Sequence, residues 1–260
     1  MIEGLGQRLP WVEMKNFVDA MIVTATPPIT SDIALVCAMN GVPVLATKPL
    51  LNVDEIVVKR KPAPFAVDYV HLHSPIMRAL YDHADGKKKR GVQIEKVLST
   101  FWGDGPVRTL NSLYDYGPHA ISTVLELTTS RTIDVVSASE KKVGDRELWT
   151  VSGRADDVEV DLMIGNGAED ERSRLTVTFS DGSLAVYDEA YPRAYLEVDG
   201  KTAQRTEKHD PLRAFVEEFI DHVNNREGQM AEAAAQADIA MSVDVEEAIS
   251  KIRKAAAGSP

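Results

Sequence analysis

Two short apolar runs, one helix length apart, constrain this chain more than any other feature. Asp19-Ala20-Met21-Ile22-Val23-Thr24-Ala25-Thr26 ends at Pro27-Pro28, and Pro43-Val44-Leu45-Ala46-Thr47 runs into Lys48-Pro49-Leu50. Runs of that length, rich in Ile, Val and Thr, read as strands buried on both faces. Between them Ser31 or Asp32 can cap a helix through about Asn40, with Ile33, Ala34, Cys37 and Ala38 on one side. Gly41 stops it, where a left-handed residue is favoured. Strand, helix and strand within about 30 residues form a βαβ unit, which requires parallel pairing and a right-handed crossover.

A third strand is expected over Phe65–Leu72, and the link before it, with Lys59-Arg60-Lys61-Pro62, holds at most a brief helix. Pro75–Ala84 is helical in pattern, and Asp85–Gly91, with Lys87-Lys88-Lys89-Arg90, reads as a solvated basic loop. From Val92 the texture changes to strands: Val92–Trp102, Thr132–Ser139, Trp149–Gly153, Asp157–Ile164 and Tyr195–Val198. Ser173–Phe179 and Leu184–Asp188 form a hairpin about the turn Ser180-Asp181-Gly182. Two helices close the chain, Pro211 to about Val223 and about Gln236 to Lys254. Asp210-Pro211 opens the first, and Leu212, Phe215, Val216 and Phe219 form its stripe. The expected fold is α/β plus α+β, with a boundary between Leu72 and Pro75: a small parallel sheet over 1–74, then a mostly antiparallel sheet domain with C-terminal helices over 75–260.

Composition narrows the function classes. The 29 Lys+Arg against 40 Asp+Glu leave a net charge of −11, which counts against a nucleic-acid partner. One Cys precludes an internal disulfide framework. No apolar run approaches the ~20 residues that span a bilayer. Met1-Ile2-Glu3-Gly4 has no basic region or apolar signal core, so a cytoplasmic, membrane-free protein is expected.

Two segments can carry chemistry. Val23-Thr24-Ala25-Thr26-Pro27-Pro28 and Thr47-Lys48-Pro49 each follow a parallel strand, where open α/β sheets place their ligand crevice. Lys48 there can point its ammonium at a substrate oxygen or a nicotinamide edge; taken alone, it also reads as a solvated lysine. Tyr114-Asp115-Tyr116-Gly117-Pro118-His119 leads into the helical stretch Ala120–Leu127, which puts His119 in a first helical turn. The positive end of the helix dipole favours the neutral imidazole that a general base needs. Asp115 can orient that ring or bond a substrate hydroxyl, though such a string also occurs as a turn with a surface histidine.

Taken together, A-T-P-P, K-P and D-x-G-x-H before a helix, on a βαβ unit joined to an antiparallel sheet, resemble the Gfo/Idh/MocA oxidoreductase family from about Trp11 onward. The resemblance implies a truncated Rossmann-like domain and a β-sheet domain that move hydride between NAD or NADP and a sugar, cyclitol or related hydroxyl or carbonyl substrate. It implies that His119 is the acid/base, that Lys48 polarises the reacting hydroxyl, and that Asp115 positions substrate and His119. Thr24, Thr26, Pro27, Pro28, Lys48 and Pro49 would lie along the cofactor, and the sheet face would make a homo-oligomer.

The chain also departs from that family. Thr47 replaces the usual Glu before Lys-Pro, and Leu72-His73-Ser74-Pro75 stands where relatives often carry an Arg. The family's opening strand, G-x-G-x-x-G turn, helix and second strand are missing, on the order of 60 residues at ~30 per βαβ unit. Gly4-Leu5-Gly6 has neither a preceding strand nor a third glycine in register. Two alternatives therefore stand beside the oxidoreductase: a non-catalytic binding or regulatory member that has lost nucleotide binding, and an enzyme using the same pocket without nicotinamide. His71 and His73 alternate near the boundary, one of them able to face the pocket, and no Cys or paired carboxylate completes a metal site. His83, His209 and His222 read as surface residues. Trp102-Gly103-Asp104-Gly105-Pro106 reads as a loop able to close over substrate.

Overall fold

The computed structural model describes residues 18–27, 29–51, 53–59, 61, 63–104, 111–168, 171–225 and 229–258. Chain contacts divide the protein into two compact units, 1–68 with 216–243, and 69–215 with 244–260.

The first unit is the βαβ arrangement extended by one strand. It runs β1 (Met21–Val23), α1 (Ile29–Asn40), β2 (Val44–Ala46), α2 (Val53–Lys59) and β3 (Phe65–Val67), with parallel order β1-β2-β3. Every residue of β2 and β3 is buried, as the unbroken apolar runs require. Ala34, Cys37 and Ala38 seat α1, and Gly41, at φ 68°, ends it. Burial pushes the Cys37 thiol up to about 11, so it is a core residue and no nucleophile at neutral pH. The strand expected to reach Leu72 stops at Val67, because its partner β2 ends at Ala46. Asp238 accepts the Val67 N–H at 2.9 Å, and a 3₁₀ turn follows over Val70–His73.

The second unit holds an eight-stranded sheet. That 3₁₀ turn leads into α3 (Pro75–Lys88), β4 (Ile94–Asp104), α4 (Ser112–Asp115) and α5 (Gly117–Thr128). The strands β5 (Asp134–Val143), β6 (Arg146–Ala155), β7 (Val158–Ala168), β8 (Arg172–Phe179), β9 (Leu184–Ala190), β10 (Arg193–Val198) and β11 (Lys201–Thr206) complete it. The order is β11-β10-β9-β8-β4-β7-β6-β5, antiparallel throughout except where β4 lies parallel to β7. Along β4, Val97, Ser99 and Phe101 are buried, while Lys96, Leu98, Thr100 and Trp102 alternate with them and stay half-buried. The chain ends in α6 (Pro211–Asn224) and α7 (Gln229–Ala257), which pass through both units. Among the described residues, no helix is long and apolar enough to cross a membrane.

Several expectations are corrected. The basic stretch after Ala84 is not a loop, since α3 continues to Lys88. Its Lys87 bonds Asp181 Oδ2 at 2.6 Å and Ser183 Oγ at 2.7 Å in the hairpin turn, which gives the charge a reason to be helical. Trp102–Asp104 belongs to β4, Trp102 paired with both β7 and β8 and Gly103 and Asp104 with β7, and Gly105-Pro106 lies outside the described residues. β11 escapes the sequence because it is exposed and lacks an apolar period. Leu212 is 53 % exposed, so Phe215 and Phe219 carry the α6 stripe without it.

Ser74 caps α3: its Oγ accepts the Met77 N–H at 3.2 Å, and Pro75 opens the helix. Ser74→Ala should therefore cost about 0.5–2 kcal/mol, measured as a shift of the urea midpoint with unchanged slope.

Candidate functional site

In the first unit the cofactor candidates gather at the C-terminal ends of β1 and β2. Val23 pairs with Ala46, and the Thr47 N–H bonds the Val23 carbonyl at 3.0 Å. Both Thr30 Oγ1, at 2.5 Å, and Thr47 Oγ1, at 3.4 Å, donate to the Ala25 carbonyl, while Ser31 Oγ accepts the Leu51 N–H at 2.7 Å. These bonds tie the loop after β1 to the loop after β2. Thr24 and Thr26 are exposed, Pro27 and Lys48 half-buried, and Pro49 is buried behind a cis peptide bond from Lys48. Pro28 and Gly4-Leu5-Gly6 lie outside the described residues. Exposed hydroxyls and one ammonium at a parallel sheet's carboxyl edge fit the ribose and nicotinamide part of a dinucleotide. Among the described residues of this unit Gly41 is the only glycine, and it ends α1 rather than starting a helix, so no phosphate-cradling turn is seen there.

In the second unit Asp115 and His119 stand on consecutive helical segments. Asn111 caps α4 by accepting the Tyr114 N–H at 3.1 Å, and Asp115 ends that turn half-buried. Gly117 and Pro118 then open α5 with His119 third, 8 % exposed. The start of α4 is fixed by a buried carboxylate, Glu147, which accepts the Ser112 N–H at 2.5 Å and its Oγ at 2.7 Å. Asn166 Oδ1 accepts the Glu147 N–H at 2.7 Å. Burial raises the Glu147 carboxyl, but the Ser112 donors, Glu140 and Lys142 outweigh it and hold the group below the usual carboxylate range.

Gly103 in β4 leaves room for Tyr116, the residue before α5; a Cβ there would lie 1.8 Å from the Tyr116 hydroxyl. Gly103→Ala should displace that ring at about 1–3 kcal/mol, read from thermal unfolding.

His119 does not stand alone. Its ring centroid is 4.8 Å from that of His71 at 80° and 6.3 Å from Phe101 at 20°; His71 meets Phe101 at 5.0 Å and 85°. His71 Nδ1 is 3.1 Å from Glu189 Oε2, and His209 Nε2 is 3.4 Å from Glu189 Oε1. The Tyr187 hydroxyl also donates to Glu189 Oε2. His209 is thus buried, at 2 % exposure, and not a surface residue as its sequence context suggests. Of the alternating pair, His71 turns inward, while His73 accepts from Arg78 Nη2 at 3.3 Å and lies against Phe215. Glu189 shares a face of β9 with Ala185 and Tyr187, in a strand buried from Ala185 through Glu189, so residue type and position conflict there. No group of three or more His, Cys, Asp or Glu among the described residues is arranged to hold a metal ion. Elsewhere in the sheet a cleft of about 620 Å³ is lined by Trp102, Lys141, Arg146, Glu147, Asn166 and Arg172 among others.

No family model and no curated protein matches the sequence. Solved structures do. The UDP-N-acetylglucosamine 3-dehydrogenase GnnA from Acidithiobacillus ferrooxidans superposes with a TM-score of 0.74 at 17 % identity, covering 94 % of this chain and 80 % of its own. A scyllo-inositol dehydrogenase from Lactobacillus casei gives 0.66 at 12 %, with 95 % and 80 % covered. GenD2 from gentamicin A biosynthesis, in complex with NAD, gives 0.64 at 15 %, with 92 % and 77 % covered. The chain has the dehydrogenase fold of these proteins.

Proposed function

We propose that this protein is a nicotinamide-dependent oxidoreductase of the Gfo/Idh/MocA type, acting on a hydroxyl or carbonyl of a sugar or cyclitol. The observation that carries the reading is fold likeness over more than nine-tenths of the chain to dehydrogenases, one of them holding NAD. It is joined by a buried histidine in the first turn of α5.

In this reading Thr24, Thr26, Pro27, Pro28, Lys48 and Pro49 hold NAD or NADP, which when bound accepts or returns a hydride. His119 takes the proton of the substrate hydroxyl in oxidation and gives it back in reduction. Lys48 polarises the same oxygen by its charge, and Asp115 accepts from a substrate hydroxyl or orients His119. The half-buried face of the sheet, with Leu98, Thr100 and Trp102, pairs with a second copy of the chain. Replacing Leu98 by Asp should then lower the sedimenting mass without unfolding the protein; unchanged mass would rule that face out.

The function is tested by incubating the full chain with NAD⁺ or NADP⁺ and a panel of inositols, hexoses and nucleotide sugars. Reduced nicotinamide should accumulate with at least one of them. Neither cofactor binding nor turnover across the panel would favour instead a binding or regulatory protein that has lost nucleotide binding.

A further inference from the structure

The ring that packs against His119, His71, belongs to a cluster of three buried polar side chains. His71 and Glu189 are each 10 % exposed at the side chain, and His209 is 1 % exposed. A carboxylate only accepts hydrogen bonds, so the 3.1 Å contact requires a proton of His71 to sit on Nδ1. Glu189 is itself immobilised, because Tyr187 and His71 meet one oxygen and His209 meets the other. Burial alone would raise that carboxyl; His209, His71 and Tyr187 outweigh it and hold the group well below the ordinary carboxylate range. It is therefore ionised at neutral pH. The ring of His71 stands nearly perpendicular to both His119 and Phe101, at 4.8 and 5.0 Å, so it fixes the plane of His119 from one side.

We propose that His71 is a positioning residue for His119, held as the Nδ1–H tautomer by Glu189, with Tyr187 and His209 locking the carboxylate. The role rests on the reading of His119 as the acid/base. The geometry is that of a carboxylate orienting an imidazole, here one ring removed from the group that meets substrate. When His119 gains a proton, the fixed negative charge of Glu189 lies one imidazole away and favours that charge.

The test uses imidazole ¹⁵N spectra of the full chain, with His119 and His71 assigned from His119→Gln and His71→Asn. In the unaltered protein His71 should carry a proton on Nδ1, bonded to the carboxylate. Glu189→Gln, which removes the charge but keeps one acceptor oxygen, should weaken that preference and move the His119 resonances with it, while those of His83 and His222 stay in place. An Nε2–H form of His71 in the unaltered protein overturns the proposal. So do His119 resonances that are the same with and without the carboxylate, because packing alone would leave them unmoved. If Glu189→Gln does not fold, the tautomer of the unaltered protein still decides. Neither readout needs cofactor or substrate, so a chain that binds no nicotinamide refutes the oxidoreductase reading and leaves this result to stand or fall by itself.

Discussion

Glu189→Ala should lower the free energy of unfolding by about 3–5 kcal/mol, the range for breaking a buried pair by removing one partner. The size follows from what is left behind: the Tyr187 hydroxyl and His71 Nδ1 lose their acceptor, and His209 Nε2 loses the carboxylate 3.4 Å away, in a buried site. Denaturant unfolding measures it, and a loss under about 1 kcal/mol, the surface-pair value, would mean that the cluster is solvated. The pH dependence has a definite sign. The Glu189 carboxyl is held below its ordinary 4.5, so its contribution is fully present above about pH 4.5 and is lost as pH falls through the folded value. Glu189→Gln should therefore be less stable than the unaltered protein at neutral pH and should show a shallower loss of stability in acid.

His119→Ala should reduce turnover by about 10²–10⁴, the usual contribution of a positioned general acid/base. The effect belongs in kcat, since the imidazole acts on the proton in flight and not on the bound ground state. Cofactor affinity should hold within about twofold, a few tenths of a kcal/mol, because the cofactor candidates lie on the other unit. Steady-state kinetics beside a binding titration separate the two. Turnover retained in His119→Ala would refute the assigned role, and equal loss of cofactor binding would show that the substitution damaged the fold.

The parts of the fold legible in the sequence are those written by local chemistry. Val44–Ala46 and Phe65–Val67 are buried strands because they are unbroken apolar runs, and Gly41 ends α1 because its φ of 68° suits glycine. Asp210-Pro211 likewise starts α6 where expected, the Asp210 carboxylate accepting the Arg213 N–H at 2.9 Å. The candidate site was legible only as far as its own helix. Gly117-Pro118 placed His119, but the residues around its ring come from positions far along the chain. His71 and Glu189 are 118 residues apart in sequence and meet only because β9 enters the sheet in one register. A shift of one residue would have turned Glu189 to the other face and brought Asp188 in. Glu147 is similar: its partner Ser112 lies 35 residues earlier, and nothing near Glu147 announces a buried carboxylate. The polar neighbours Lys208 and Asp210 hide the burial of His209, whose own N–H is drawn to the Pro192 carbonyl at 2.7 Å.

Whether a nicotinamide dinucleotide binds this chain is decided by calorimetric titration of the purified protein with NADH and NADPH. Saturable binding of at least one of them is expected below about 1 mM, the upper end of ordinary enzyme affinities, weakened by Lys48→Ala. No heat of binding for either cofactor at that concentration would contradict it.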